Sequence, residues 1–208
     1  MNHTLQAEGF GVRLRPVRLD DAPFIVWLRH LDRALGRIGD SAADVNTQIE
    51  WLKDYFDRAG DYYFMIETMG GVPAGTIGIY NKVGNSAEVG RIVVRPDAVV
   101  ALAGNMLLLD LAYGSLGLME LHGTVVASNR PMRNFVRNYG FQEKKAETKT
   151  QMIGGVAVDL VYYHQHSEDW AKAREQLLEL AFKTEAKLRE WEAREIRGTA
   201  PTSWRFKS

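Results

Sequence analysis

Between Ser86 and Phe141 the chain carries several side chains that could do chemistry. Glu88, in a segment of strand character, can act as a general base or as an anchor for a basic group; as an ordinary strand residue it would face solvent. Arg91 can meet either a phosphate or Glu88, and a plain salt bridge is the preferred reading. Ser128 and Asn129 end a later strand, and Tyr139 stands at the end of a short helix. His122 reads as a structural histidine rather than a catalyst. His164 and His166 invite a metal, but the chain has no cysteine and no acidic cluster beside them in sequence, so no metal is expected.

Regular elements must position these groups. Ala87 to Val94 is a strand broken by Arg95-Pro96-Asp97. Residues 98–116 are apolar on nearly all sides and predict a buried helix ending near Gly117. A strand from Glu120 to Ala127 follows, so strand, helix and strand form a right-handed crossover with two parallel strands side by side. Arg130 to Tyr139 is a short helix, and Phe141 to Glu147 with Val156 to Tyr163 makes a final hairpin. That order would let one sheet grip a long cofactor.

Upstream, Val12 to Val17 alternates as a strand, and Asp20-Asp21 opens a helix with Phe24, Trp27, Leu28 and Leu31 on one stripe. Asp40 or Ser41 can cap a second helix carrying Val45, Ile49, Leu52 and Phe56. Tyr62 to Glu67 and Thr76 to Tyr80 flank a turn at Gly70-Gly71. Beyond Ser167, Glu168 to Arg197 has no Gly or Pro and carries Glu-to-Lys/Arg pairs four apart, which predicts a helix of about 45 Å. Its stripe of Trp170, Leu177, Ala181, Leu188 and Trp191 must pack on the domain surface or on a second subunit. Trp204 and Phe206 in the tail could dock.

The chain has 208 residues, 46% of them hydrophobic, which suits one domain (residues 1–166) with a helical extension and tail (residues 167–208). Lys+Arg and Asp+Glu both number 26, so no net field draws it to nucleic acid or anionic lipid. The N-terminus lacks a secretion signal and no segment holds about 18 uninterrupted apolar residues. A cytoplasmic protein without nucleic-acid or membrane partners is expected.

The stretch from Ser86 to Phe141 resembles the cofactor-binding half of the GNAT N-acetyltransferase superfamily. Val94-x-Pro96, Leu107-Leu108, Leu116-Gly117-Leu118 and the spacing from Asn129 to Gly140-Phe141 carry the likeness. The ending Val158 to Tyr163 followed by Asp169-Trp170 is similar to the subgroup of ribosomal-protein and aminosugar acetyltransferases. The resemblance implies an α/β GNAT-like fold: a central mixed, twisted sheet of about seven strands flanked by helices, here with a long C-terminal helix.

It also implies acetyl-CoA as co-substrate. Ile92, Val93 and Val94 would meet the pantetheine arm, and a backbone N–H of Val93 or Val94 would polarise the thioester carbonyl. Ala101, Leu102, Ala103, Gly104 and Asn105 would hold the diphosphate, with Asn129 and Phe135 also at the cofactor. Glu88, Asn129 and Tyr139 are the catalytic candidates. The chain departs from the family at two places. Val99, Val100 and Leu102 stand in the phosphate turn, where only Gly104 remains of the usual glycines, and the position of the usual acid tyrosine is Val136.

Acceptor choice in this fold falls to the first two helices and the strand after them, which hold His30, Arg37, Asp40, Gln48 and Asp61. Arg29, Arg33, Trp51, Tyr80 and Arg91 are the substrate candidates. Likeness to acetyltransferases of surface-polysaccharide sugar pathways makes a nucleotide-linked aminosugar the first substrate expected, because guanidinium forks pair with phosphate and rings stack on base or sugar. The alternatives are an N-terminal protein amine of the ribosomal-protein type, or a non-catalytic acyl-CoA-binding module. A homodimer through the C-terminal helix is a further expectation.

Overall fold

The computed structural model describes residues 2–31, 42–153 and 155–198, with the side chains of residues 145–148 left aside. Among the described residues, eight strands form one mixed sheet in the order β1-β2-β3-β4-β5-β6-β8-β7. The strands are β1 (Ala7–Gly9), β2 (Val12–Pro16), β3 (Tyr62–Thr68), β4 (Pro73–Val83), β5 (Ser86–Val94), β6 (Glu120–Val126), β7 (Gln142–Ile153) and β8 (Val156–His166). The helices are α1 (Ala22–Arg29), α2 (Val45–Phe56), α3 (Ala101–Asp110), α4 (Arg130–Asn138) and α5 (Ser167–Ile196).

The strand beyond the expected seven or so is β1. It is short, and it joins β2 through Phe10 and Gly11 at φ 51° and 80°, a turn with positive φ at both central residues that matches the twist of a hairpin. The apolar run expected as one helix is α3 followed by a single wide turn of π type at Leu111–Ser115. The cap of α2 is Asp44, whose carboxylate accepts from the Thr47 N–H at 2.8 Å; the expected caps Asp40 and Ser41 lie outside the described residues.

Strand alternation divides the core between the two faces of the sheet. Phe64 and Ile66 of β3 join Val12, Leu14, Leu108 and the α5 side chains on one face. Tyr63 and Met65 point the other way, into α1 and α2 with Phe24, Leu28 and Leu52. The α5 stripe packs on the chain's own domain: Trp170, Ala173, Leu177, Ala181, Leu188 and Trp191 are all buried in the first of these cores. Of the two packings open to that stripe, the structure therefore selects the domain surface. Trp204 and Phe206 lie outside the described residues.

Polar groups pin both ends of α5, and those at its end include a buried ion pair. Near its start, Asp110 accepts from the Trp170 indole at 3.0 Å and pairs with Arg174 at 2.8 Å. Near its end, Glu195 pairs with Arg95 at 2.8 Å, both side chains being 2% exposed, while Asp97 accepts from Arg95 at 2.8 Å and from the Trp191 indole at 3.3 Å. The end of the C-terminal helix is thus tied to the turn that leads into α3.

Candidate active site

The site begins where two parallel strands part. β5 and β6 pair through Ser86↔Glu120, Ala87↔Leu121 and Glu88↔His122, and among the described residues their ladder goes no further. Beyond that fork opens a cleft of about 600 Å³. Gly90 to Val94 of β5 and Gly123 to Val126 of β6 are its two walls, α4 supplies Met132, Phe135 and Val136, and β7 and β8 close the far side with Ile153 and Leu160. Gly123 lets the strands come close at the fork: a Cβ there would stand 2.9 Å from the Val89 carbonyl oxygen.

A bulge on the other edge of β5 sets which side chains share a face. Thr76 pairs with Val93 but Gly78 with Gly90, so β5 carries one residue too many against β4, and Arg91 takes φ 55°. In a regular strand, residues three apart point to opposite faces. The extra residue shifts the parity, so that Glu88, Arg91 and Val93 all face the α1–α2 side, whereas Ala87, Ile92 and Val94 pack toward α3.

The cost of a left-handed non-glycine residue is on the order of 1–3 kcal/mol, and it needs support from the surroundings. Asp61 receives both ends of the Arg91 guanidinium, one at 2.8 Å. The same cation lies over the rings of Tyr80 at 4.4 Å, Tyr63 at 5.2 Å and Trp51 at 5.3 Å. Burial opposes its charge, but the hydrogen bonds and charge of Asp61 prevail and hold Arg91 above its ordinary pKa. The plain salt bridge preferred from sequence is therefore what Arg91 makes, with Asp61 in place of Glu88.

Glu88 faces the cleft with its acceptors already arranged. Tyr80, directly opposite on β4, donates to one oxygen at 3.0 Å, and Asn81 donates to the other at 3.0 Å. Burial first, and the nearby Glu88 charge second, push the Tyr80 phenol well above its usual range, so it is a donor at neutral pH. A Cβ on Gly90 would fall on the Tyr80 hydroxyl, so the glycine there is what lets that ring reach Glu88. This tyrosine–carboxylate contact could have been sought in the sequence only by guessing the β4–β5 register.

Backbone direction separates the two oxyanion candidates. The Arg95 N–H donates to the Ala74 carbonyl of β4 at 2.8 Å, and successive residues of a strand aim their backbone groups alternately to either side. Val93 therefore turns its N–H to β4, while those of Ile92 and Val94 turn to the cleft. On α3 the helical period makes a similar selection: Ala101 and Asn105, four apart, line the cleft. Ala103 and Gly104 are buried, and a Cβ on Gly104 would press into Ile66 at 2.8 Å. The surviving glycine of the turn thus serves helix–sheet packing. The α3 start has no side-chain cap, so its first N–H groups remain for an anion at the cleft end.

Tyr139 does not reach the cleft. It is 1% exposed, its hydroxyl donates to the Leu102 carbonyl at 3.1 Å, and its ring stands against Phe135 and Trp170. Burial drives its pKa far up against the opposing hydrogen bond of Asn105, which suits a core group. Only the Leu102 carbonyl is taken up in that contact; its N–H stays among the first N–H groups of α3. Asn129 lines the cleft, with its side-chain oxygen capping α4 by accepting from the Met132 N–H at 3.3 Å.

Among the substrate candidates, Arg29 and Tyr80 line the cleft with Arg91. Trp51 stands behind, stacked on Tyr55 at 5.6 Å and beneath Arg91. Arg33, Arg37 and Asp40 lie outside the described residues. His122 contacts the Ser86 hydroxyl at 3.3 Å.

The sequence matches the family model described as an acetyltransferase (GNAT) domain over residues 12–142. No curated protein sequence gives a match. Among solved structures, the chain is similar to apo FdhC, described as a nucleotide-linked sugar GNAT: 23% identity and TM-score 0.70, covering 86% of this chain and 98% of that one. A GCN5-related N-acetyltransferase from Brucella melitensis aligns at 16% identity and TM-score 0.70, over 83% of each chain. A point variant of the spermidine N-acetyltransferase SpeG from Vibrio cholerae aligns at 18% identity and TM-score 0.68, over 78% of this chain and 98% of that one.

Proposed function

The chain belongs to the GNAT family of acetyltransferases, and we propose that it moves an acetyl group from acetyl-CoA to the primary amine of a nucleotide-linked aminosugar. The observation that carries this reading is the forked cleft with Glu88 held on its floor by Tyr80 and Asn81. A chain-like pantetheine fits between the diverging strands, where backbone edges stand unpaired. The uncapped start of α3 and the side chain of Asn105 suit the diphosphate.

In this reading Glu88 takes a proton from the attacking amine, the N–C bond forms, and the N–H groups of Ile92 and Val94 receive the oxyanion. As the C–S bond breaks, Glu88 returns the proton to sulfur. Tyr80 orients the carboxylate and needs no change of state. Tyr139 and Val93 have no part in the step, for the geometric reasons above.

Charge supports the sugar nucleotide over a polyamine. Of the described residues lining the cleft, Glu88 is the one carboxylate, with Arg29 and Arg91 as the cations. A polyamine bearing several positive charges wants more carboxylates than this, whereas a nucleotide diphosphate finds Arg29 at the α1 end. The resemblance to a nucleotide-linked sugar GNAT agrees with that choice.

Thiol release from acetyl-CoA, measured with panels of aminosugar nucleotides, polyamines and N-terminal peptides, tests the proposal. Turnover with an aminosugar nucleotide alone is the expected result, and Glu88→Gln should lose about 10²–10⁴-fold of it. Turnover with peptides or polyamines instead would overturn the acceptor. Tight acetyl-CoA binding with no release for any acceptor would make the protein a binding module.

A further inference from the structure

Strand pairing continues the polar row of the active site across the sheet. Tyr80 stands opposite Glu88, Glu88 opposite His122, and His122 opposite His164. One step along, Ser86 stands opposite Glu120 and Glu120 opposite His166. Directly paired residues share a face, so His122, His164, His166 and Glu120 all lie on the face that Glu88 uses. Glu120 and His164 are half-buried and His166 is exposed.

We propose that Glu120, His164 and His166 form a binding site for one divalent transition-metal ion of the zinc class. One donor atom from each lies within 4.8 Å of the others. Zinc bonds of about 2.0–2.1 Å place tetrahedral ligands about 3.4 Å apart, so closure needs movement of about 1–1.5 Å, which side-chain rotation supplies. A strand presents residues two apart on one side, which suits His164 and His166 as a chelating pair. Their rings stand 5.7 Å apart at 61°. The carboxylate of the set comes from β6, 44 positions before His164, through the β6–β8 ladder.

Two imidazoles and one carboxylate are a borderline-soft set that favours zinc, cobalt or nickel over magnesium or calcium. The start of α5 follows His166 directly, and its positive dipole would oppose a cation there. Glu168 and Asp169 sit in that first turn and offset it, with Asp169 accepting from the His166 N–H at 3.2 Å. Three protein ligands leave a fourth position open toward solvent. The ion would sit two strands from Glu88, with His122 between them, and so outside the proposed transfer chemistry.

Titration of the intact protein with zinc chloride by calorimetry, and with cobalt chloride by visible absorption, tests this site independently of any acetyl transfer. One equivalent of zinc should bind, and cobalt should give the intense d–d bands of a tetrahedral centre. His166→Ala, at an exposed position, should keep a cooperative melting transition in the absence of metal, lowered by no more than the loss of a helix cap. It should weaken zinc by about 10-fold or more and abolish the cobalt bands, and Glu120→Gln should weaken zinc by a similar factor. Absence of stoichiometric binding would overturn the proposal, as would equal affinity in the wild type and both variants, which would place the metal on other histidines.

Discussion

At the scale of single residues, one glycine decides what a larger side chain can do. Gly90→Ala puts a methyl group where the Tyr80 hydroxyl rests, and the ring must leave Glu88. One hydrogen bond to a charged group corresponds to about 1.5–3 kcal/mol, so kcat/KM should fall by about 10–100-fold while the fold survives. Tyr80→Phe should lose a similar factor, and the double variant little more than either single one, because both remove the same contact. His3 offers a pH test. It is buried against Tyr62 and Phe64, and burial lowers its pKa from the ordinary 6.5. The unfolded chain therefore binds the proton first as pH falls, so this contribution is full above about pH 6.5 and is lost below it, at up to about 1.4 kcal/mol per pH unit. Urea unfolding at pH 7.5 and 5.5 should show a smaller loss for His3→Phe than for the wild type.

At the scale of elements, the end of α5 and the turn before α3 hold each other through one buried ion pair. Removing a partner from such a pair strands a charge, which costs about 3–5 kcal/mol, whereas a half-exposed pair is worth under about 1 kcal/mol. Arg95 and Glu195 are of the first kind and Asp97, 46% exposed, is nearer the second. Glu195→Ala should therefore lower the melting temperature by on the order of 10 °C, with Asp97→Ala well short of that. A melt in which Asp97→Ala proved the more damaging would refute the ranking. Acetyl-CoA affinity should weaken alongside stability in Glu195→Ala, since the loosened turn leads into the proposed phosphate-binding helix start.

At the scale of the whole molecule, α5 packs into the central core. Trp170, Leu177, Ala181, Leu188 and Trp191 pack with Leu108 and Tyr139 rather than forming a core of their own. Losing a single buried Trp costs about 3–5 kcal/mol, and the total stability of a domain is only about 5–15 kcal/mol. A chain ended at residue 166 is therefore expected to lack a cooperative thermal transition and to bind a hydrophobic dye. A sharp melt from the shortened chain would show instead that residues 1–166 fold independently.

The element types were legible because they depend on local period: 3.6 in α1, α2 and α5, and two along β2. The strand–helix–strand crossover and the long C-terminal helix follow from the same local signals, as does the place of Glu88 in the strand that lines the cleft. What lay beyond the sequence was every fact that turns on a distant partner. The bulge at Arg91 reverses face parity within one strand, and Asp61 supports it from 30 positions away. Tyr139 is held in the core by the Leu102 carbonyl, and Gly104 packs against Ile66. Alternation assigns cleft-facing backbone to Val94 rather than Val93 once the β4 hydrogen bond is known. The sequence alone determined which segments coil and which extend, because that follows from neighbours along the chain. Which side chains meet in the cleft was decided only by tertiary structure, because pairing and burial join residues that the chain keeps far apart.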